Sequence, residues 1–161
     1  MTSPAEHALP PLHVEFDTDE ACPIAFGGDS SVVLYFASWA FSLRFGAQHE
    51  LAKAASRIET LHKVALRPLL RYADRRVEDE ADRRELQRMW QDPAALADCC
   101  RAVAAATTAG DRQLNELLEG YEDLAPRLGE LAAMCDWAAA QDAHVRLSFD
   151  LGEPGPPVTG D

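Results

Sequence analysis

Residues 29–46 read DSSVVLYFASWAFSLRFG, and the rest of the chain has to be arranged around this stretch. Between Val32 and Phe45 the plainly polar residues are few, namely Ser38, Ser42 and Arg44. At 100° per residue, the apolar side chains of such a helix point in every direction around its axis. A helix that is apolar on all sides has to be covered on most of them, so we expect the other helices to pack around it.

Length and charge limit the class of protein. The chain has 161 residues, enough for one domain that buries about two thirds of its unfolded surface in a single core. Hydrophobic residues make up 47% and charged residues 26%, which is the balance of a globular protein. With 27 Asp and Glu against 15 Lys and Arg, the formal net charge is -12. Because a chain of this sign repels phosphate groups, we expect no nucleic-acid partner.

Cysteine usage and the N-terminal residues predict a cytoplasmic protein. Cys22, Cys99, Cys100 and Cys135 have no metal-finger spacing, and adjacent cysteines do not readily bridge each other. The first residues, MTSPAEHALPP, have neither the basic region nor the apolar region of a signal peptide. The apolar run in the central stretch is about 14 residues, and a membrane-spanning helix needs roughly 20. We therefore expect reduced cysteines and no membrane span.

Strand-like segments lie near both ends of the chain. Residues 12–17 read LHVEFD and residues 145–151 read VRLSFDL, each with its apolar residues on one side. We predict that they pair in a two-stranded ribbon lying on the helices, and its exposed edge would be open to a strand from another chain. The domain is then residues 12–151, preceded by a flexible arm at residues 1–11 and followed by a disordered tail at residues 152–161.

The segment after the central stretch predicts two further helices. Gly46 is expected either to end the first helix at a C′ position or to soften it there. Apolar residues at near-heptad spacing then predict a longer helix over residues 47–76. Pro68 lies inside this run and lacks the N–H that a helix needs, so we expect either a kink or a break into two helices there, and favour the kink. A shorter, highly charged helix is predicted over residues 78–91.

The C-terminal half predicts two more helices. Asp92 followed by Pro93 is an N-cap with proline at the first helical position, and the Ala-rich helix that it begins should end at Gly110. From Asp111, apolar residues recur every seven positions and predict a bundle helix of about 30 residues, kinked at Pro126. The chain is therefore predicted to be mainly all-α, a four- to five-helix bundle around the apolar central helix.

Glu59 and His62 form an E-x-x-H pair, the spacing with which carboxylate-bridged di-metal bundles present two ligands on one helix face. Such sites also need a second copy of the motif, and this sequence has none. The pair is expected to be an exposed ion pair or a hydrogen-bonded histidine, and we expect no catalytic residue, metal or other cofactor. A helical-bundle metal-binding enzyme using Glu59 and His62 is kept as an alternative function.

Two other features are expected to be structural. The run FGGDSS at residues 26–31 places glycines before a capped helix N-terminus, which explains it without a bound phosphate. Cys99, Cys100 and Cys135 fall on predicted core faces of helices, where cysteine usually acts as a small buried hydrophobe. Cys22 lies in a loop and is expected to be the most accessible of the four.

The aromatic central helix, the terminal strands and the long apolar seams all need burial beyond one small core. They predict a non-catalytic helical protein–protein interaction module: an accessory subunit, adaptor or regulator that binds another protein or its own copy. The residues expected to make the contact are aromatic, namely Tyr35, Phe36, Trp39, Phe41 and Trp90. A second alternative is an acidic mimic that inhibits a basic protein by presenting carboxylates to it.

Overall fold

The computed structural model describes residues 10–150, which contain six α-helices and three short strands. In chain order these are β1 (His13–Phe16), α1 (Ser31–Phe41), α2 (Glu50–Thr60), β2 (Tyr72–Asp74), α3 (Glu80–Gln87), α4 (Pro93–Thr107), α5 (Arg112–Leu117), α6 (Leu124–Ala140) and β3 (Val145–Phe149). The predicted mainly helical fold is confirmed, whereas a regular bundle is not. Apart from residues 10 and 11, the predicted arm and tail lie outside the described residues.

Both ends of the central helix lie where the sequence predicts them. Ser30 is the N-cap of α1, which continues as a short 3₁₀ segment, Ser42–Phe45. Gly46, with φ of 81°, then ends the helical stretch in the left-handed conformation that glycine adopts most readily. The Ser30 hydroxyl accepts a hydrogen bond from the Leu12 N–H (2.9 Å) and donates to the Leu12 carbonyl oxygen (3.1 Å). This pair of bonds joins the start of α1 to the residue before β1.

One core lies between α1, α2, α4, α6 and the inner face of the sheet. The buried side of α1 is formed by Val33, Leu34, Phe36, Ala37 and Ala40. α1 packs against α2 and α6, and α4 packs along α6. Val145 and Leu147 of β3 have no exposed surface and extend the same core into the sheet. Each fully buried side chain of this size stabilises the fold by about 1.5–3 kcal/mol. Within residues 10–150, no helix combines the length and the apolarity that a membrane crossing requires.

The predicted helix over residues 47–76 is wrong in its second half. α2 ends at Thr60, and Lys63 then takes a left-handed conformation with φ of 59°, which turns the chain out of the helical path. Pro68 lies near the start of a 3₁₀ segment, Arg67–Leu70, where its missing N–H is not needed. Val64, Leu66 and Leu69 are still buried, but from a turn rather than from a helical seam, whereas Leu61 is exposed.

The predicted 30-residue helix is two helices. Asp111 does cap the first of them, because its side chain accepts a hydrogen bond from the Leu114 N–H (3.2 Å). α5 ends at Leu117, and Gly120 has φ of 94°, a conformation that a continuous helix cannot contain. Pro126 is the third residue of α6, where the N–H that it lacks would have no partner within the helix. It therefore lies at the start of a helix rather than at a kink.

The start and end predicted for the Ala-rich helix are confirmed. Asp92 caps α4 by accepting a hydrogen bond from the Ala94 N–H (3.1 Å), and Pro93 is the first helical residue. Gly110 follows the helix with φ of 82°. The predicted charged helix over residues 78–91 is shorter than expected, because α3 covers eight residues, and none of its side chains is buried.

The sheet has three strands rather than two, in the order β1-β3-β2. β1 and β3 are antiparallel, with Val14 opposite Leu147, so the predicted pairing of the two ends of the chain is confirmed. β2 adds to the other side of β3 in parallel, with Tyr72 opposite Leu147. Gln91 extends that side by exchanging two backbone hydrogen bonds with Val145, at 2.9 and 3.0 Å.

Candidate protein-interaction surfaces

The C-terminal end of α1 exposes two phenylalanines. Phe41 is 39% and Phe45 is 74% exposed, and their ring centroids are 6.0 Å apart. The Arg44 guanidinium lies over the Phe41 ring, 4.8 Å from its centroid, which is the geometry of a cation–π contact. We call Phe41, Arg44 and Phe45 the terminal patch. Leu61 is the third exposed large hydrophobic residue of the described chain, at 54%.

Four aromatic rings meet between α1, the start of α2 and the segment before α6. The Trp39 and His49 rings are stacked, with centroids 4.2 Å apart and an interplanar angle of 6°. Tyr35 is edge-on to both of them, at 6.5 and 5.8 Å, and its ring is 6.2 Å from that of Tyr121. We call these four residues the ring cluster. Because each ring is half-buried against the others, the cluster joins helices as well as facing solvent.

Polar atoms of the ring cluster are bonded within the molecule. His49 is the N-cap of α2, and its Nδ1 accepts a hydrogen bond from the Leu51 N–H (3.0 Å). The Tyr121 hydroxyl donates to Glu50 Oε2 (2.9 Å). Burial and this bond to a carboxylate raise the pKa of the Tyr121 phenol above its usual range. The cluster therefore fixes how α1 meets α2.

The five aromatic residues predicted to make contacts lie in different environments. Phe36 is only 1% exposed and belongs to the core, so it cannot reach a partner. Trp90 is half-buried, with the Arg146 guanidinium 4.3 Å from its ring centroid. Tyr35 and Trp39 belong to the ring cluster, and Phe41 belongs to the terminal patch. Phe45 was not among the predicted contacts, although its spacing of four residues from Phe41 could have identified it.

The E-x-x-H pair does not converge in the structure. His62 Nε2 is 2.7 Å from Asp111 Oδ2, and the Arg57 Nε donates to the same oxygen at 2.7 Å, whereas Glu59 is exposed. Hydrogen bonds from Arg57 and His62 hold the pKa of Asp111 well below its usual range. Within residues 10–150, no three His, Cys, Asp or Glu side chains are grouped as metal ligands. The sequence missed this pairing because 49 residues separate His62 from Asp111.

Glu15 lies at the centre of a polar network on the outer face of the sheet. Its Oε1 accepts from the Arg146 Nε (2.8 Å), and its Oε2 accepts from the Ser148 hydroxyl (2.8 Å) and lies 3.0 Å from the Arg75 Nε. Burial alone would raise the pKa of Glu15, but these hydrogen bonds and the neighbouring charges hold it below its usual range. The network joins β1 and β3 to Arg75, the residue after β2, so its polar groups already have partners.

The three buried cysteine side chains are not activated. Cys99, Cys100 and Cys135 are buried, as predicted, and Cys22 is the most accessible. Burial raises the pKa of Cys99 to about 11 and that of Cys135 to about 12, and it also raises the pKa of Cys100. A thiol with a raised pKa is a poor nucleophile at neutral pH. These residues therefore act as core hydrophobes.

A groove lies beside the outer edge of β1. Its volume is about 430 Å³, and it is bounded by β1, by the segment of residues 18–26 that follows the strand, and by Met134 of α6. Most of the lining residues are of apolar type, among them Val14, Phe16, Cys22, Ile24 and Phe26. Glu20 is the acidic residue of the lining.

Residues 10–150 therefore form a mainly α-helical fold with a small three-stranded sheet. Its surface carries the terminal patch and the groove beside β1. No protein-family model, curated protein or solved structure with which the chain was compared matches it. Function is therefore inferred from the surfaces of this chain.

Proposed function

We propose that the protein is a non-catalytic interaction module that binds another protein through the terminal patch. The observation that carries this proposal is the exposure of two phenylalanines with an arginine over one of them. Aromatic side chains and arginine are the residue types that contribute most to binding at protein interfaces. Moving a Phe side chain from water into a partner's pocket is worth about 1.5–3 kcal/mol, so Phe45 is expected to be the main anchor.

The pairing of the titratable side chains supports a structural rather than a catalytic role for them. His62 is bonded to Asp111, and Glu15 is bonded to arginine and serine side chains of the sheet. A metal-binding enzyme would need Glu59 and His62 to face one point, and the two side chains face different surroundings. The interaction module is therefore favoured over the metal-binding alternative, while the acidic-mimic alternative stays a prediction.

The charge of the chain favours a different protein over a second copy as the partner. Two copies would each carry a formal net charge of -12, and this repulsion opposes self-association. Arg44 is the first Lys or Arg in the sequence, and its guanidinium lies over the exposed Phe41 ring of the patch. We infer a partner surface with an apolar pocket for Phe45 and a carboxylate at its rim for Arg44. We also infer a cytoplasmic location, supported by cysteines that form no disulfide among the described residues.

Site-specific photo-crosslinking of the full chain in cells tests this proposal. A benzophenone amino acid at position 45 is expected to give one dominant crosslinked protein. The matched control carries it at position 61, an exposed apolar site outside the patch. A second copy of this chain as the only crosslinked species would replace the proposed partner with a homodimer. Equal, diffuse crosslinking from positions 45 and 61 would contradict the proposal.

A further inference from the structure

The outer edge of β1 has backbone groups that no described residue pairs. The Asp17 N–H donates to the His144 carbonyl oxygen (3.3 Å), which makes Asp17 and His144 a hydrogen-bonded pair of the antiparallel ladder. Such pairs alternate along the strand, so Glu15 also pairs with β3, while the N–H and C=O groups of Val14 and Phe16 point away from it. Among residues 10–150, no hydrogen bond is formed by these outward groups. They have the spacing that a further strand needs.

The backbone hydrogen bonds on the other side of β3 agree with this pairing of β1 and β3. Val145 exchanges two backbone hydrogen bonds with Gln91, and the Phe149 carbonyl oxygen accepts from the Arg75 N–H at 2.7 Å. The backbone N–H and C=O groups of the odd-numbered residues of β3 therefore point toward β2 and Gln91, and those of its even-numbered residues point toward β1. β1 is thus an outer strand whose second side is open in the part of the chain that the structure describes.

The lining of the groove includes residues of β1 and of the segment after it but none of β3, so we infer that the groove lies beside the open side of β1, where it provides space for side chains. Strand addition gains affinity from backbone hydrogen bonds and specificity from pockets that take alternate side chains. The apolar lining of the groove suits small and medium-sized aliphatic residues at every second position of an added strand. The open backbone groups of β1 and the groove beside it together select an extended segment more specifically than either feature alone.

The charge around the groove selects the kind of segment. Residues 1–43 contain no Lys or Arg, and the turn after β1 carries Asp19 and Glu20 beside Asp17, whose carboxylate accepts a hydrogen bond from the His144 N–H. Arg127, on α6, is bonded to Glu130 at 2.7 Å and does not offset this charge. A second copy of the chain would bring a further formal net charge of -12, and this repulsion opposes self-association. A cationic segment complements the site.

We propose that β1 binds an extended segment of another protein as a fourth strand, with its aliphatic residues in the groove and its Lys or Arg residues beside the acidic turn. This inference goes beyond the proposed function, because it concerns a second surface and does not depend on the terminal patch.

Fluorescence anisotropy with the full chain tests the proposal, using a labelled seven-residue peptide that alternates Lys and Val. The cationic peptide is expected to bind. A peptide with the same pattern but with Glu in place of Lys is not expected to bind. A peptide of the same composition with all Lys residues before all Val residues is expected to bind at least about tenfold more weakly. Equal binding of the two cationic peptides would overturn the proposal, because charge alone would then explain the affinity.

The variant Val14→Pro removes one outward N–H, and Val14→Ala is the matched control that keeps it. Proline is tolerated on an edge strand when its N–H position faces away from the ladder. We expect Val14→Pro to bind the peptide about tenfold more weakly than Val14→Ala, with the two variants unfolding at similar temperatures. Equal affinities of the two variants would overturn the proposal. Phe45→Ser is expected to leave peptide binding unchanged, so failure at this edge and failure at the terminal patch are separable.

Hydrogen exchange on the unmodified chain gives a test that does not depend on the folding of any variant. The Val14 and Phe16 amides are expected to exchange rapidly in the free protein and more slowly with the peptide bound. If both amides are already protected in the free protein, another occupant holds the edge. Protection that rises with protein concentration would identify a second copy, and protection independent of concentration would identify the chain's own terminal residues. Either result would contradict the proposal.

Discussion

Gly27 and Gly28 leave the space that two side chains of α6 occupy. A Cβ atom on Gly28 would lie 2.0 Å from Arg127 Nη1, and one on Gly27 would lie 2.9 Å from Glu130 Oε2. The Gly27 N–H donates to Glu130 Oε1 at 3.0 Å, which ties the loop to α6. Sequence reasoning correctly expected a structural role for these glycines. It could not find the cause, because Arg127 is about 100 residues away along the chain.

Gly28→Ala is expected to lower the free energy of unfolding by about 1 kcal/mol, because the new methyl group displaces the Arg127 guanidinium from its bonds to Glu130. In the Arg127→Ala variant, Gly28→Ala should change the free energy of unfolding little, because no guanidinium then occupies the space beside residue 28. A double-mutant cycle measured by urea unfolding checks this coupling. The same cost in both backgrounds would show that the backbone, and not Arg127, disfavours alanine at this position.

Asp111→Asn is expected to lower the free energy of unfolding at pH 7, because asparagine keeps the cap but loses the charge that Arg57 and His62 contact. The pKa of Asp111 is lower in the folded state than in the unfolded state, where it is about 3.9. The stabilisation by the carboxylate is therefore present above the unfolded-state pKa and is lost as the pH falls toward the folded-state pKa. The stability difference between the two proteins should shrink below about pH 4. A difference that is constant from pH 7 to pH 3 would contradict this assignment.

At the scale of the elements, local capping signals were predictable and breaks within apolar patterns were not. Asp92, Asp111 and Gly46 were placed correctly, because a cap depends on a few neighbouring residues. The break at Gly120 was missed because apolar residues keep a spacing of seven across it, so two helices bury the side chains that one would. Lys63 gives no sequence signal for its left-handed conformation. β2, with three residues, is too short for its alternation to be recognised.

Gly120→Ala and Gly129→Ala distinguish two helices from one. Gly120 has positive φ and Gly129 lies within α6, and a Cβ at either position meets no atom within 4 Å. Alanine should lower the free energy of unfolding by about 1 kcal/mol at position 120 and raise it by about 0.5–1 kcal/mol at position 129. Thermal and urea unfolding of both variants check the signs. Stabilisation by both changes would instead support the continuous helix that the spacing predicted.

At the scale of the whole molecule, the sequence predicted an apolar central helix but not which of its sides would stay uncovered. Phe36 and Phe41 are the same residue type in the same helix, yet one is 1% and the other 39% exposed. Because the helix is apolar on all sides, the spacing of its apolar residues does not show which side is buried. The difference is set by where α2, α6 and the sheet pack, and those contacts depend on turns that the sequence pattern did not reveal.

The contribution of the terminal patch to binding is measured by the dissociation constant of the complex with the protein crosslinked from position 45. It should be compared for the unmodified chain, for Phe45→Ser and for Leu61→Ser, which changes an exposed apolar residue outside the patch. We predict at least about tenfold weaker binding for Phe45→Ser and unchanged binding for Leu61→Ser, with both variants as stable as the unmodified chain. Equal affinities for all three proteins would contradict the assignment of the terminal patch as the binding surface.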